Sequence, residues 1–180
     1  MDAQSGSDDG RTTFIYLIGA TLLILWLMSI NAYSTLPDRI PVHFNWDGTP
    51  DRWDNKSIMN FFMLPGLATL ISAFMLIISR YPHLYNFPQK EEVKTWPPEF
   101  RKPVYAILNR MMYFIGFAIS VLFLFIQIQV IQGAKSQNFT PSNLWPMWIL
   151  VAGMVLLPIY YLVQVSRLVK TIREKLAQNR

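Results

Sequence analysis

Residues 14–33 read FIYLIGATLLILWLMSINAY, a run of twenty residues without a charged side chain. A helix of about 20 apolar residues matches the roughly 30 Å hydrocarbon core of a bilayer. The continuous apolar character excludes an outer-membrane barrel, whose strands alternate apolar and polar residues over about 10 positions. The run therefore predicts a membrane-spanning helix. Because the segment before it is acidic and no cleavage motif follows, we expect this helix to be retained rather than removed as a signal peptide.

Three further apolar blocks follow in the 180-residue chain, over residues 58–79, 107–131 and 146–164. Polar, proline-rich segments separate them, and ionisable side chains occur only near their ends. A soluble bundle would need polar positions along its outer faces, which these blocks lack. The sequence therefore predicts an all-α integral membrane protein, with a bundle of four transmembrane helices over residues 14–166.

The two ends of the chain differ from this bundle. Residues 1–13 are polar and are expected to be disordered. Residues 167–180 are expected to continue the last helix as a basic amphipathic tail. Its apolar stripe either rests on anionic lipid or packs on the bundle; the stripe consists of Val165, Leu168, Ile172 and Leu176.

The basic residues predict the orientation. Four spans place both termini and the loop between the second and third spans on one side, which carries twelve of the sixteen lysines and arginines. The other side carries Arg39, Arg52, Lys56 and Lys135. Cytoplasmic loops are enriched in basic residues, so both termini are expected in the cytoplasm. The positive net charge is explained by topology, and no nucleic-acid partner is expected.

The cytoplasmic loop over residues 80–106 is rich in proline and in aromatic side chains. Aromatic rings with polar edges favour the headgroup region of a bilayer. We therefore expect this loop to lie along the membrane surface as an anchor; its aromatic residues are Tyr81, Tyr85, Phe87, Trp96, Phe100 and Tyr105.

The segment between the first two spans is more ordered than a plain connector. Residues 36–57 read LPDRIPVHFNWDGTPDRWDNKS. Apolar and other residues alternate over residues 40–44, which is typical of a short strand. Asp47-Gly48 favours a tight turn, because glycine accepts positive φ. Asp54-Asn55 is expected to cap the next helix. The pattern predicts a short hairpin-like extracytoplasmic cap over residues 34–57.

This segment, placed just after a first span, resembles the signature of the SdpI family of bacterial and archaeal membrane proteins. The resemblance is to the N-terminal domain of unknown function of that family and covers about the first 80 residues. The matching residues are Leu36, Pro37, Ile40, Pro41, His43, Asn45, Gly48, Pro50, Asp51 and Trp53. The resemblance implies a prokaryotic cell (inner) membrane. It also implies immunity against a secreted toxic peptide, or signalling in which a cytoplasmic repressor is held at the membrane.

The cap also contains the candidate site residues. As ligand-binding or structural residues we select His43, Asn45, Asp47, Gly48, Pro50, Asp51, Arg52 and Trp53. His43, Asp47 and Asp51 recur every four residues, a spacing that on a helix can hold a metal. The nearby prolines and glycine disfavour a helix, so a metal is a weak alternative. The plainer interpretation is that His43 and Asn45 hold the shape of the cap through hydrogen bonds to its backbone.

Signals of an enzyme are scarce. The chain has no cysteine, which excludes disulfides and thiolate metal sites, and it lacks the common nucleophile, phosphate-loop and zinc motifs. We expect no catalytic residue and no cofactor. The first hypothesis is a non-enzymatic protein that binds or shields against an extracytoplasmic peptide or envelope ligand. The alternatives are an accessory subunit bound to a membrane-protein partner and, less favoured, a metal-dependent transporter or membrane enzyme.

Overall fold

The computed structural model describes residues 10–136, 139 and 144–178. Five α-helices lie in these residues: α1 (Arg11–Tyr33), α2 (Ile58–Ile78), α3 (Lys90–Lys94), α4 (Pro98–Lys135) and α5 (Trp145–Gln178). All but the short α3 are long and apolar enough to cross a membrane. The predicted fold class, four membrane-spanning helices with a small ordered element between the first two, is confirmed.

That ordered element is an antiparallel hairpin of β1 (Arg39–Phe44) and β2 (Pro50–Asn55). Its register is irregular on both sides of His43. Irregular pairing breaks the alternation of inward and outward side chains. Ile40 and Pro41, which precede the irregular pairs, are both buried although they are adjacent. The expected hairpin is present, but it turns its two most buried residues to the helices together.

Helix α4 is the centre of the bundle, because it contacts α1, α2, α5 and β1. Small residues allow the close approach. A Cβ atom added at Gly116 would lie 3.2 Å from Met75 Cβ on α2 and 3.3 Å from Ile18 Cδ1 on α1. The hydroxyl of Ser72 also donates to the main-chain oxygen of Gly116, at 3.2 Å. The close packing follows the small-residue rule of membrane helices.

Large apolar side chains remain exposed along the outer faces of the helices. On α1 these include Leu23, Ile24, Leu27 and Ile30, each more than half exposed. Soluble monomers rarely expose continuous apolar faces of this extent. Contact with lipid tails accounts for them, in agreement with the lengths of the four helices.

The segment between α2 and α4 differs from the expected surface anchor. It folds through a 3₁₀ turn at Pro82–Leu84 and through α3. Tyr85, Phe87 and Trp96 are buried against α4 and the end of α5 in one apolar cluster. These three rings are therefore buried in the protein and not exposed on its surface, because packing against the two helices removes their apolar surface from water. Tyr81 stays exposed.

The ends of the chain follow the expectation only in part. Residues 1–9 of the predicted disordered N-terminus lie outside the described part, whereas Arg11–Thr13 form the first turn of α1. At the other end α5 continues as a single helix to Gln178. Val165, Val169 and Ile172 are buried in the cluster with α4. The apolar stripe of the tail therefore packs on the bundle.

Candidate functional site

The hairpin turn is held by its own hydrogen bonds. The amide of Gly48 donates to the oxygen of Asn45, and the amide of Asn45 donates to the oxygen of Thr49, both at 2.8 Å. Gly48 has a φ of +78°, which glycine adopts without strain. The carboxylate of Asp47 accepts from the hydroxyl of Thr49 at 2.7 Å and from its amide at 3.0 Å. These bonds hold the pKa of Asp47 below its ordinary value of 3.8. The carboxylate of Asp47 therefore stabilises the turn.

His43 and Asp51 face each other across the two strands. His43 Nδ1 lies 2.6 Å from Asp51 Oδ1, and both side chains are exposed. The histidine therefore joins a side chain of the opposite strand, whereas a backbone partner was expected. Asp47 is occupied at the turn, so the three residues of the metal alternative do not share one centre. Within residues 10–136, 139 and 144–178, no three histidine, aspartate or glutamate side chains are grouped to hold a metal ion.

The hairpin rests on α4 through its prolines. A Cβ atom added at Gly133 would lie 3.2 Å from Pro41 Cγ and 3.5 Å from Pro50 Cγ. A larger residue at position 133 would therefore push the strands away from the helix. The guanidinium of Arg39, on the first strand, donates to the main-chain oxygen of Trp53 on the second strand, at 3.2 Å. Pro50 and Trp53 thus stabilise the position and shape of the hairpin.

Lys56 fastens the end of the hairpin to α1. Its ammonium group donates to the main-chain oxygens of Leu36 at 2.6 Å and Tyr33 at 3.4 Å, and it lies 5.4 Å from the centre of the Tyr33 ring. A cation at a helix C-terminus satisfies carbonyl groups that lack helical partners. The main-chain amide of Lys56 also donates to the oxygen of Asp38 at 2.6 Å. One residue therefore links the hairpin to the preceding helix.

Helix α2 is capped by Ser57. The Ser57 hydroxyl accepts from the amide of Asn60 at 3.0 Å. The expected cap at Asp54-Asn55 is wrong by two residues, because β2 continues through Asn55. Asp54 instead accepts from the amide of Asn55 at 2.7 Å. Pairing with β1 therefore determines where α2 begins.

A cavity of about 500 Å³ lies between the hairpin, α2, α4 and the start of α5. Its apolar lining residues are Pro41, Val42, Phe44, Met63, Leu64, Ile126, Val130, Leu144 and Met147. Its other lining residues are His43, Asn45, Gly48, Arg52, Asp54, Asn60 and Gln129. An apolar pocket of this size with a few polar groups is the usual form of a small-ligand site. We name it the hairpin cavity.

Two glutamines of α4 lie in this region. The fully buried side chain of Gln127 donates to the main-chain oxygen of Phe61 on α2, at 3.3 Å. Gln129 lines the hairpin cavity. The Oε1 atoms of both side chains are buried and have no hydrogen-bond partner among the described residues. Such an unmet acceptor costs about 1–3 kcal/mol, and it can be satisfied by a donor on a ligand that reaches it.

The cavity divides the residues selected from sequence into two groups. His43, Asn45, Gly48 and Arg52 line it. Asp47, Pro50, Asp51 and Trp53 lie elsewhere in the hairpin. Sequence reasoning missed the helical contributors, above all Met63 on α2 and Gln129 on α4. The one signal in the sequence was the presence of glutamines at positions 127 and 129, within an otherwise apolar helix.

Comparison with known proteins finds one family match and a distant relative. Residues 20–69 match the family described as Domain of unknown function (DUF1648). The match runs from the middle of α1 through the hairpin to the middle of α2. An uncharacterized protein of Archaeoglobus fulgidus is 29% identical over 100 residues, covering 46% of this chain and 54% of that protein. The chain thus spans about half the length of this relative. No solved structure matches the chain.

Proposed function

We propose that this chain is a non-enzymatic, multi-pass membrane protein of the SdpI type. It binds an extracytoplasmic peptide or envelope ligand in the hairpin cavity and shields the cell against that ligand. The observation that carries the proposal is the cavity itself. Its volume of about 500 Å³ falls within the range of pockets that enclose small ligands, and residues of the DUF1648 match form much of its lining.

The lining suits a ligand with an apolar body and polar groups at one end. Side chains of α2 and α4, such as Met63 and Val130, supply apolar surface. Amide groups at Asn45, Asn60 and Gln129 supply both donors and acceptors, which the main chain of a peptide would need. The buried Oε1 of Gln129 has no hydrogen-bond partner among the described residues, so it offers an acceptor to a donor group of such a ligand.

Charge adds a second requirement. Arg52 and Asp54 line the cavity, and neither forms an ion pair within the described residues. A cation and an anion that are not in ion pairs favour a ligand that carries both signs, as a peptide does at its termini or side chains. Release from water to a partly enclosed site strengthens such contacts.

The direction from which the ligand arrives follows from the basic residues. The side with the hairpin carries four of the sixteen lysines and arginines, and the positive-inside rule assigns that side to the exterior. The resemblance to the SdpI family supports the same side and adds the role of immunity to a secreted peptide. In this arrangement the cavity opens toward molecules of the cell envelope.

The ligand can be captured without knowing it in advance. Photoreactive p-benzoylphenylalanine is placed at Met63, which lines the cavity, or at Met59, which is 76% exposed on the same helix and does not line it. Cells are irradiated, and the masses of the molecules crosslinked to the protein are measured by mass spectrometry. A peptide or envelope molecule attached at position 63 alone supports the proposal. Identical lipid adducts at both positions overturn it, and attachment of a large membrane protein at position 63 would instead favour an accessory subunit.

A further inference from the structure

A second site lies on α5, far from the hairpin cavity. An open cavity of about 440 Å³ is lined by Ile159, Leu162, Val163, Ser166, Arg167 and Lys170. These residues recur every three or four positions, so they form one stripe along the helix. The first three are apolar and the last two are basic. The start of α5 lines the hairpin cavity, so this stripe belongs to the opposite end of the bundle.

The two basic residues of this stripe are available to a ligand. Arg173, one turn further, is held by two hydrogen bonds to the carboxylate of Glu92, at 2.8 and 2.6 Å. Arg167 and Lys170 are exposed, and neither has a carboxylate within ion-pair distance in the described part of the chain. Their charges are therefore not satisfied within the protein.

Ser166 completes the polar end. Its hydroxyl oxygen accepts from Nε2 of Gln89, at 3.3 Å, from the segment between α2 and α4. The hydroxyl hydrogen has no acceptor among the described residues and is free to donate. Two cations and one hydroxyl donor, spaced along one helical turn, form a set of groups that suits a phosphate.

We propose that this stripe binds one anionic phospholipid, with the phosphate on Arg167, Lys170 and Ser166. The acyl chains lie along Ile159, Leu162 and Val163. Ile159 and Lys170 are eleven positions apart, which is about 16.5 Å along a helix and close to half of the roughly 30 Å bilayer core. The stripe therefore fits one leaflet, with its basic end at the headgroups. A free phosphate has no apolar group that could contact the apolar part of the stripe.

The test uses the full chain in nanodiscs of phosphatidylcholine and phosphatidylglycerol, followed by native mass spectrometry of the lipids that remain bound. The wild type is compared with R167Q/K170Q and with R80Q/K175Q. The second variant removes two exposed charges that do not line the stripe. A charge-conserving variant, R167K/K170R, controls for folding.

We expect the wild type to retain phosphatidylglycerol in preference to phosphatidylcholine. This preference should fall at least tenfold in R167Q/K170Q and should be unchanged in R80Q/K175Q. The swapped variant R167K/K170R should retain the lipid. Equal retention by wild type and R167Q/K170Q overturns the proposal. Equal loss in both double variants also overturns it, because it would reflect diffuse attraction to positive charge. Displacement by excess inorganic phosphate would assign the basic groups to a soluble anion and not to a lipid.

Discussion

The side-chain amide of Gln127 donates a hydrogen bond to the main-chain oxygen of Phe61, across the contact of α4 with α2. In a regular helix this oxygen would accept from the amide four residues later. That residue is Pro65, which has no N–H. The glutamine therefore replaces the N–H that Pro65 lacks as the donor to this oxygen. Hydrogen bonds from neighbouring helices of this kind allow proline inside membrane spans.

Replacing Gln127 with leucine should lower the free energy of unfolding by about 0.5–2 kcal/mol, because the oxygen of Phe61 loses its donor. In a Pro65→Ala background the helix supplies that donor itself. There the same replacement should be neutral or stabilising, since it also removes the buried, unpaired Oε1 of the glutamine. Unfolding of the four proteins by denaturing detergent measures the difference. Equal losses in both backgrounds would show that the two residues are not coupled.

Lys56 should determine how firmly the hairpin is attached to α1. Methionine at this position keeps the length of the side chain but removes the donors to Leu36 and Tyr33. We expect the free energy of local opening of the hairpin to fall by about 1 kcal/mol. Amide hydrogen exchange in β1 and β2 should therefore become roughly fivefold faster. Exchange in α4 should not change.

The matched control for Lys56 is Arg39→Met, since Arg39 is exposed and bonds only to the oxygen of Trp53 among the described residues. It should change exchange in the hairpin less than Lys56→Met does. Equal effects of the two variants would mean that general charge, and not the bonds to the end of α1, holds the hairpin.

Glu92 should make the attachment of α3 to α5 depend on pH. The hydrogen bond from Arg173 holds the pKa of Glu92 below its ordinary value of 4.5. A carboxyl group with a lowered pKa stabilises the folded state above its unfolded pKa, and the contribution is lost as the pH falls through the folded value. Protection factors of the α3 amides should therefore fall in the wild type below pH 4.5.

Glu92→Gln should have low α3 protection at neutral pH and little further change on acidification. Glu91→Gln is the control, because the Glu91 carboxylate bonds to Lys94 within α3 and not to α5. It should keep the acid-dependent loss. A wild type whose protection is constant down to well below pH 4.5 would contradict the role of this ion pair.

The orientation can be tested directly because the chain has no native cysteine. Trp46, at the hairpin tip, is 83% exposed, and Gln178 is exposed at the end of α5. A membrane-impermeant maleimide added to intact cells should label Trp46→Cys at once. Gln178→Cys should react only after the cells are broken. The reverse pattern would place the hairpin in the cytoplasm and remove the basis for an extracytoplasmic ligand.

Sequence alone was sufficient for the four helices and the hairpin, because span length and the Asp47-Gly48 turn are local signals. The burial of Tyr85 and Trp96 was not predictable in this way. It depends on the packing of a loop without periodicity against the end of α5, 69 or more positions away in the chain. The cap of α2 was misplaced for a related reason, since pairing of the strands, a tertiary effect, extends β2 through Asn55.

The sequence indicated the hairpin side of the candidate cavity but not its helical side. Residues of the hairpin were selected because turn and histidine residues are conspicuous in sequence. Met63 and Gln129, which complete the cavity, lie on two different helices. A methionine in an apolar span carries no individual signal, and only the packing of α2 beside α4 brings it opposite His43 and Arg52.

The proposed function requires a ligand in the hairpin cavity, and native mass spectrometry of the protein purified gently from its own membranes tests this most directly. Met63→Trp fills the cavity from α2, whereas Met59→Trp adds the same side chain one turn away, outside the lining. We predict a bound peptide or envelope molecule of defined mass on the wild type and on Met59→Trp, and its absence on Met63→Trp. A wild type without any bound molecule, or a molecule retained equally by Met63→Trp, would contradict the proposed function.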